Sequence, residues 1–430
     1  MRTENARAEW LPFTMYQALK TFLEKNGLRW EGDPDRCLVM KDEGEILASC
    51  ALSGNVIKYV AVDGALRQTG WATKLVSMMI EDAFLMGKTH LFLFTTSDKA
   101  DSFEEIAFRK IAGYKSVALL ECGMKNVKSY AETLKKHKAA GVNGAIVMNA
   151  NPFTLGHRYL IENASKMCDR LHVFMVKEDK STFPASVRLR LVTEGVKDLT
   201  NVVVHKGSEY VLSRATFPGY FIKDAGEISS LQAGLDVDLF ARYIAPALDI
   251  KKRFVGSEPF DPATHAYNQK MKEILTPKGI EVHEIERLNK DNEAVSASRV
   301  RNFLKNGENE KAFLLLPETT RAFLETTQGK EIIERMKNMK INKSAAAGSM
   351  ESNDAMILIE PGEGEVEIAI ESVVMRQFGK QIEKAVKDVL DEYEIEDARV
   401  WVRDKGAVEC TLKARTETAI LRSLKEDLKA

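Results

Sequence analysis

Two stretches of the chain carry residue types suited to chemistry on a nucleotide. Asn149-Ala-Asn-Pro-Phe-Thr-Leu-Gly-His157 stands between an apolar, strand-like run (Gly144–Asn149) and a helical pattern. A strand, a tight loop and a helix N-terminus make an anion site, because unpaired N–H groups and the helix dipole face the ligand. Asn149, Asn151 and Phe153 belong to that loop. Gly156 lets the backbone approach closely, and His157 can donate to a phosphate oxygen whose charge grows in the transition state. The plainer alternative is a helix capped by Thr154 beside an incidental histidine. The second stretch, Ser296-Ala-Ser-Arg-Val-Arg301, opens another helix. Ser296 or Ser298 can cap it, and Arg299 and Arg301 can clamp phosphate oxygens in pairs. Alone it reads first as an ordinary capped helix. The two together, at the carboxyl ends of parallel strands, read as a nucleotide site.

Other candidates are softer. Lys177, at the end of a later strand, can meet phosphate or simply face solvent. Gly256-Ser257-Glu258 ends a further strand and can line the adenosine side. Arg214 lies in an aromatic and hydroxyl-rich stretch (Ser208–Tyr220), as a partner for a small carboxylate or as half of a structural ion pair. Acidic residues do not cluster into a metal cage, so no protein metal site is expected and Mg²⁺ would be held mainly by ATP phosphates. The remaining histidines (His90, His137, His172, His205, His265 and His283) lack metal-ligand spacing and read as structural.

These residues need a scaffold. The 430 residues suggest about three domains. In residues 1–130 a helical pattern (Tyr16–Leu23) precedes strand runs at Cys37–Lys41, Glu45–Leu52 and Asn55–Val62. A helix over Trp71–Leu85, a strand at His90–Thr95, a helix near Asp101–Ile111 and a strand at Lys115–Glu121 complete an α+β unit. Lys125–Gly144 reads as a helix ending in a linker. Over 142–327, five short apolar runs (GAIVMN, LHVFMV, NVVVH, KRFVG and IEVHEI) alternate with helical patterns, which predicts a parallel sheet. Ser298–Thr327 reads as helical throughout. In a third unit, 339–430, strands are expected at Met356–Glu360, Val366–Ser372, Ala398–Val402 and Ala407–Lys413, with helices at Met375–Tyr393 and the end. The junction falls at Lys337–Met339. A flexible tether over 328–351 would span roughly 25 Å.

Composition excludes several classes. Sixty-two Lys+Arg against 63 Asp+Glu give a net charge of −1, which argues against a nucleic-acid binder. From residue 339 onward the net charge is −5, against +4 before it. The longest apolar runs are too short for a membrane span, and the N-terminus lacks the apolar core of a secretory signal. Five scattered cysteines, with no CxxC pair, fit a reducing compartment; the expectation is a cytoplasmic protein.

The Thr154-Leu-Gly-His157 and Ser296–Arg301 elements resemble the nucleotidylyltransferase superfamily, whose first loop reads (H/T)xGH. With Thr154 in the first position, no second histidine is at hand for the α-phosphate. The resemblance implies in-line transfer without a covalent intermediate, a Rossmann-like fold, and catalysis by positioning and charge stabilisation. Arg67-Gln-Thr-Gly70-Trp-Ala72 resembles the RxxGxA turn of the GNAT acyltransferases, and Phe108–Tyr114 their closing FxxxxGY element. That implies a coenzyme A-like group held at Arg67, Gly70 and Ala72, in a domain that is catalytic or only binds. In this order, with Arg-Ala-Thr-Phe-Pro-Gly-Tyr-Phe-Ile-Lys223 between them, residues 1–325 resemble the citrate lyase ligase family. It adenylylates acetate with ATP, then acetylates the thiol of the citrate lyase acyl carrier.

The tail resembles that carrier, the γ subunit, through Met339-Lys-Ile-Asn342, Ala347–Asp354 and Asp404–Ala407. The resemblance implies a small α+β carrier bearing phosphoribosyl-dephospho-coenzyme A on Ser352; from residues alone Ser352 is a hydroxyl in a turn. It also implies the citrate lyase α and β subunits and a group-installing enzyme as partners. Two other functions compete: a pantetheine-phosphate-type adenylyltransferase indifferent to acetate, and a carrier assembly with a silent enzyme body.

Overall fold

A computed structural model describes the chain except residues 1–6, 13–14, 67–68, 178–180, 212–216, 223–224, 258–261, 291–292, 339–340, 394, 396 and 425–430. Two compact units result. One comprises Met1–Asn149, Tyr159–Glu178 and Val196–Arg287; the other comprises Ala150–Arg158, Asp179–Gly195 and Leu288–Ala430.

The first unit holds two sheets. One has seven strands: β1 (Arg7–Trp10), β2 (Arg36–Asp42), β3 (Glu45–Ser53), β4 (Val56–Val62), β5 (His90–Thr96), β6 (Arg109–Tyr114) and β7 (Val117–Gly123). They lie in the order β1-β2-β3-β4-β5-β7-β6. Alternating side chains put Leu38, Cys50 and Leu93 in a core with Leu75, Val76 and Met79 of α2 (Trp71–Leu85), while α1 (Tyr16–Lys25) contributes Leu19, Phe22 and Leu23 to a separate core. Each fully buried side chain of this size contributes roughly 1.5–3 kcal/mol. The helix expected at Asp101–Ile111 is only α3 (Ala100–Glu104); residues 105–108 turn and Arg109–Ile111 open β6, because Ile111 and Ala112 are buried and the segment pairs along β7.

After α4 (Val127–Lys135) comes an all-parallel sheet of β8 (Asn143–Met148), β9 (Arg170–Val176), β10 (Val202–Ser208), β11 (Ile250–Gly256) and β12 (Glu281–Ile285), in the order β10-β9-β8-β11-β12. Each strand is one of the five apolar runs. Helices α5 (Leu155–Ser165), α6 (Ala185–Gly195), α7 (Ile228–Leu239), α8 (Ala245–Leu248) and α9 (Pro262–Leu275) intervene in sequence, with a π-helical turn at Phe240–Ile244.

Two buried histidines sit in this sheet. His172 Nδ1 and His205 Nε2 lie 2.9 Å apart, and the His205 ring stacks on Phe174. Burial, with Arg170 and His137 adding like charge, holds His172 down to about 4. Burial, His172, His137 and Lys136 hold His205 down to about 3. Unfolded, both titrate near 6.5. As pH falls from about 6.5 towards 4 the unfolded chain binds protons that the folded chain refuses. Stability is therefore full above 6.5 and drops below it, by up to about 1.4 kcal/mol per pH unit for each histidine. Denaturant midpoints at pH 7 and pH 5 check this; equal midpoints would contradict it.

In the second unit a short hairpin, β13 (Asn289–Lys290) and β14 (Glu293–Ala294), precedes α10 (Ala297–Lys305), α11 (Asn309–Leu314), α12 (Glu318–Glu325) and α13 (Thr327–Asn338). Because α13 runs to Asn338, the long flexible tether is not there; only residues 339–344 separate it from the next strand. That strand is β15 (Ala345–Ala347), followed by β16 (Ala355–Glu360), β17 (Val366–Ser372), α14 (Met375–Glu392), β18 (Ala398–Asp404) and α15 (Glu409–Leu424). The sheet order is β15-β16-β18-β17, and Ile357, Ile359, Val400 and Val402 pack on Ile382, Val386, Leu412 and Ile420. The strand expected at Ala407–Lys413 is instead a turn and the start of α15, because Leu412, Thr416, Ala419 and Ile420 are buried at helical spacing. No helix among the described residues is long and apolar enough to cross a membrane.

Candidate functional site

The Asn149–His157 loop is held by its neighbours residue by residue. Asn151 spends its side-chain oxygen on the Phe183 N–H at 2.9 Å, and its carbonyl accepts from Arg301 Nη1 at 2.7 Å. Phe153 is fully buried, against Gly195 and with its carbonyl accepting from Thr320, so its side chain anchors the loop rather than facing a ligand. The bond from Arg301 brings the two sequence-predicted stretches together.

His157 is oriented by Thr154. The Thr154 backbone N–H donates to His157 Nδ1 at 3.1 Å, and the Thr154 hydroxyl lies 2.9 Å from the same nitrogen. A ring nitrogen that accepts an N–H bond carries no proton, so the neutral imidazole holds its proton on Nε2. That makes Nε2 a donor, the role a phosphate-binding histidine needs. Thr154, only 1% exposed, positions the histidine instead of touching substrate.

Gly156 answers to a different neighbour from the one expected. A Cβ there would stand 2.6 Å from the Val295 carbonyl oxygen. The small residue thus lets the start of α5 pass the strand end that leads into Ser296. Gly156→Ala is expected to push the two stretches apart and cost about 1–3 kcal/mol, read from denaturant unfolding; an unchanged midpoint would contradict this.

Ser296 caps α10, its hydroxyl accepting from the Arg299 N–H at 3.2 Å, and Ser298 Oγ lies 3.4 Å from Ser296 Oγ. Arg299 Nη2 pairs with Glu293 at 2.8 Å, while its buried Nη1 has no hydrogen-bond partner among the described residues. A buried guanidinium nitrogen without an acceptor is costly, and a phosphate oxygen would satisfy it.

The other unit carries the rest. Asn149 follows β8. Lys177 follows β9, its ammonium 3.4 Å from Glu209. Glu209 also meets His90, which hydrogen-bonds Glu121 at 3.1 Å. Burial opposes charge on His90, but the Glu121 and Glu209 bonds outweigh it and push the imidazole up to about 9. Gly256 ends β11, and Ser257 bonds Ile285 and Arg287 through its backbone. Glu258, Arg214 and Arg67 lie outside the described residues.

In the seven-stranded sheet β4 and β5 pair at Val56–Phe92 and Ile57–Leu93. At Tyr59 the backbone turns left-handed (φ 54°), an uncommon state for a bulky residue, beside a register shift against β3. A cleft of about 800 Å³ opens there, lined by Val60, Asp63, Leu93, Phe94, Tyr220 and Phe221 among others. The sequence reading missed it, because no single motif lines it. Gly70 caps α2 with φ 82°, which glycine adopts freely, and Ala72 is the helix's second residue.

Ser352 is exposed in the turn between β15 and β16. Asn353 beside it is left-handed (φ 61°), and Asp354 accepts from both Arg415 nitrogens at 3.0 Å and from Ser349 at 2.7 Å. These bonds hold the Asp354 carboxyl well below its usual range. The turn is pinned; the serine is not.

Residues 143–324 match the family model described as the citrate lyase ligase C-terminal domain, and residues 3–114 the acetyltransferase (GNAT) family. Citrate (pro-3S)-lyase ligase of Klebsiella pneumoniae is 40% identical over 315 residues, spanning 72% of this chain and 92% of that protein. The chain belongs to the citrate lyase ligase family. The ligase of Escherichia coli K12 is 41% identical over 311 residues, spanning 71% of this chain and 88% of its own. This ligase-family chain continues into a further segment. Residues 342–423 match the model described as malonate decarboxylase delta subunit. There the citrate lyase acyl carrier protein of Treponema denticola is 45% identical over 85 residues, spanning 20% of this chain and 97% of that protein. The C-terminal part belongs to the citrate lyase acyl carrier family.

Proposed function

We propose that the chain adenylylates acetate with ATP, passes the acetyl group to a thiol on its own carrier segment, and thereby switches citrate lyase on. The observation that carries this is the union in one polypeptide of counterparts to 92% of a ligase and 97% of an acyl carrier. Residues 1–130 act as the acyltransferase-like domain, 142–327 as the nucleotidylyltransferase domain and 339–430 as the carrier.

In the first step an acetate oxygen attacks the α-phosphorus of ATP, the bond to the β-phosphate oxygen breaks, and diphosphate leaves with the electron pair. His157 donates from Nε2 to the oxygens that gain charge, Thr154 fixes its tautomer, and Arg299 and Lys177 add positive charge. His157 is held in place by Thr154, so its donor would lower the barrier without rearrangement. Asn149, Asn151, Gly156, Ser296, Ser298 and Arg301 shape the ATP loop, with Gly256, Ser257 and Glu258 on the adenosine side and Arg214 on the acetate side. Mg²⁺ would enter with the phosphates of ATP, whose hard oxygens suit it.

An exposed serine in a pinned turn suits covalent attachment, and Ser352 would carry phosphoribosyl-dephospho-coenzyme A. When attached, that group would supply the thiol that takes the acetyl group from acetyl-adenylate, with AMP as the leaving group and the thiol proton released. The cleft between β4 and β5 and the α2 start, with Arg67, Gly70 and Ala72, would hold the arm. Its further partners would be the enzyme that attaches the group and the α and β subunits of citrate lyase, in the cytoplasm. Product analysis tests the reading: AMP and diphosphate should form in proportion to added acetate, whereas ADP and phosphate would overturn it.

A further inference from the structure

The cleft between β4 and β5 is not completed by the N-terminal segment. Tyr220 and Phe221, which follow β10 in the parallel-sheet part of the chain, supply a wall of it. Their turn is gripped from the N-terminal side. The Arg29 backbone N–H donates to the Tyr220 carbonyl at 2.9 Å, and Arg29 Nη2 donates to the carbonyls of Gly219 and Ile222, each at 2.9 Å. The Glu31 carboxylate accepts from the Gly219 N–H at 2.9 Å. Tyr220 is edge-on to Tyr59, the left-handed residue where β4 is distorted, and edge-on to Phe221. Tyr220 is buried and Phe221 half-buried.

The cleft also has two chemically different ends. Lys25 pairs with Asp63 at 3.3 Å, and both line the cleft. Leu28, further along the same wall, adjoins Arg29 and so the Tyr220 turn. The wall Lys25–Leu28 thus runs from a charged pair to the neighbour of the aromatic Tyr220 turn. A coenzyme-A-like arm has the same polarity: diphosphate at one end, a slender amide chain and thiol at the other.

We infer that Tyr220 and Phe221 receive the thiol end of a coenzyme-A-like arm, making the cleft a site shared between the N-terminal and parallel-sheet segments, with Arg29 and Glu31 as positioning residues. The inference rests on the proposal that this cleft takes the arm. The thiol would then be walled by residues that follow β10, within the stretch that matches the ligase C-terminal domain.

Titration calorimetry on the full chain tests this with three probes: dephospho-coenzyme A, pantetheine (thiol end only) and ADP (diphosphate end only). Phe221→Ala should weaken dephospho-coenzyme A and pantetheine about tenfold and leave ADP within about twofold, as losing one aromatic contact at one end predicts. Phe221→Tyr, which keeps the ring, should restore binding. Both variants should keep the wild-type denaturant midpoint to within about 1 M, which shows that they fold. Equal binding of dephospho-coenzyme A to wild type and Phe221→Ala would overturn the inference, as would a loss shared by ADP. Failure of the wild type to bind any of the three would instead overturn the arm-binding proposal itself.

Discussion

His157→Ala is expected to lower acetate-dependent ATP–pyrophosphate exchange by about 10²- to 10³-fold, the usual effect of removing one preorganised donor. The argument is local. The Thr154 N–H occupies Nδ1, so the ring has one proton to offer and offers it from Nε2. Alanine removes that donor while leaving the loop anchors (Asn151 to Phe183, Phe153 to Thr320) untouched. The loss should therefore appear in the rate more than in the KM for ATP. Thr154→Val separates the two contributions to orientation. It deletes the hydroxyl but keeps the backbone donor, and should cost less than His157→Ala. Equal exchange rates in wild type and His157→Ala would remove His157 from the chemistry.

Ser352→Ala should abolish acetyl incorporation into the chain altogether while leaving ATP–pyrophosphate exchange intact. The first half follows because the proposed attachment point is the Ser352 hydroxyl. The second follows because adenylylation needs only ATP, acetate and the nucleotide loop. The turn should survive the change, since Asp354, Arg415 and Ser349 hold it without the Ser352 side chain. Radiolabelled acetate, followed by mass spectrometry of the Ser352 peptide, reads the result. Label retained on the variant would place the attachment elsewhere.

The regular elements were legible wherever burial imposed a clean period. Trp71–Leu85 and Val366–Ser372 form as expected, and all five apolar runs of the parallel sheet are strands. Errors arose where a short window fits two periods. Val408, Cys410 and Leu412 alternate with Glu409, Thr411 and Lys413 enough to resemble a strand, and only Thr416, Ala419 and Ile420 reveal the helix's buried face. β1 went unseen because its residues are mostly exposed, so no apolar alternation marks it.

The candidate site divides the same way. Short-range signals such as Ser296 capping α10 could be read directly. The His157 tautomer could not, since it depends on which Thr154 atoms point at the ring. Phe153 looked like a binding residue, and its full burial became evident only once Gly195 and Thr320 were near. The cleft was beyond reach for a simpler reason: Arg29, Asp63 and Tyr220 are far apart in sequence and share no motif.

ATP–pyrophosphate exchange by the purified full chain, with and without acetate, tests the central claim most directly. It requires the nucleotide loop and the small acid but not the arm. Exchange that rises with acetate and falls by about 10²- to 10³-fold in His157→Ala is the predicted result. Exchange that is indifferent to acetate, or absent even when the carrier bears its prosthetic group, would contradict the account.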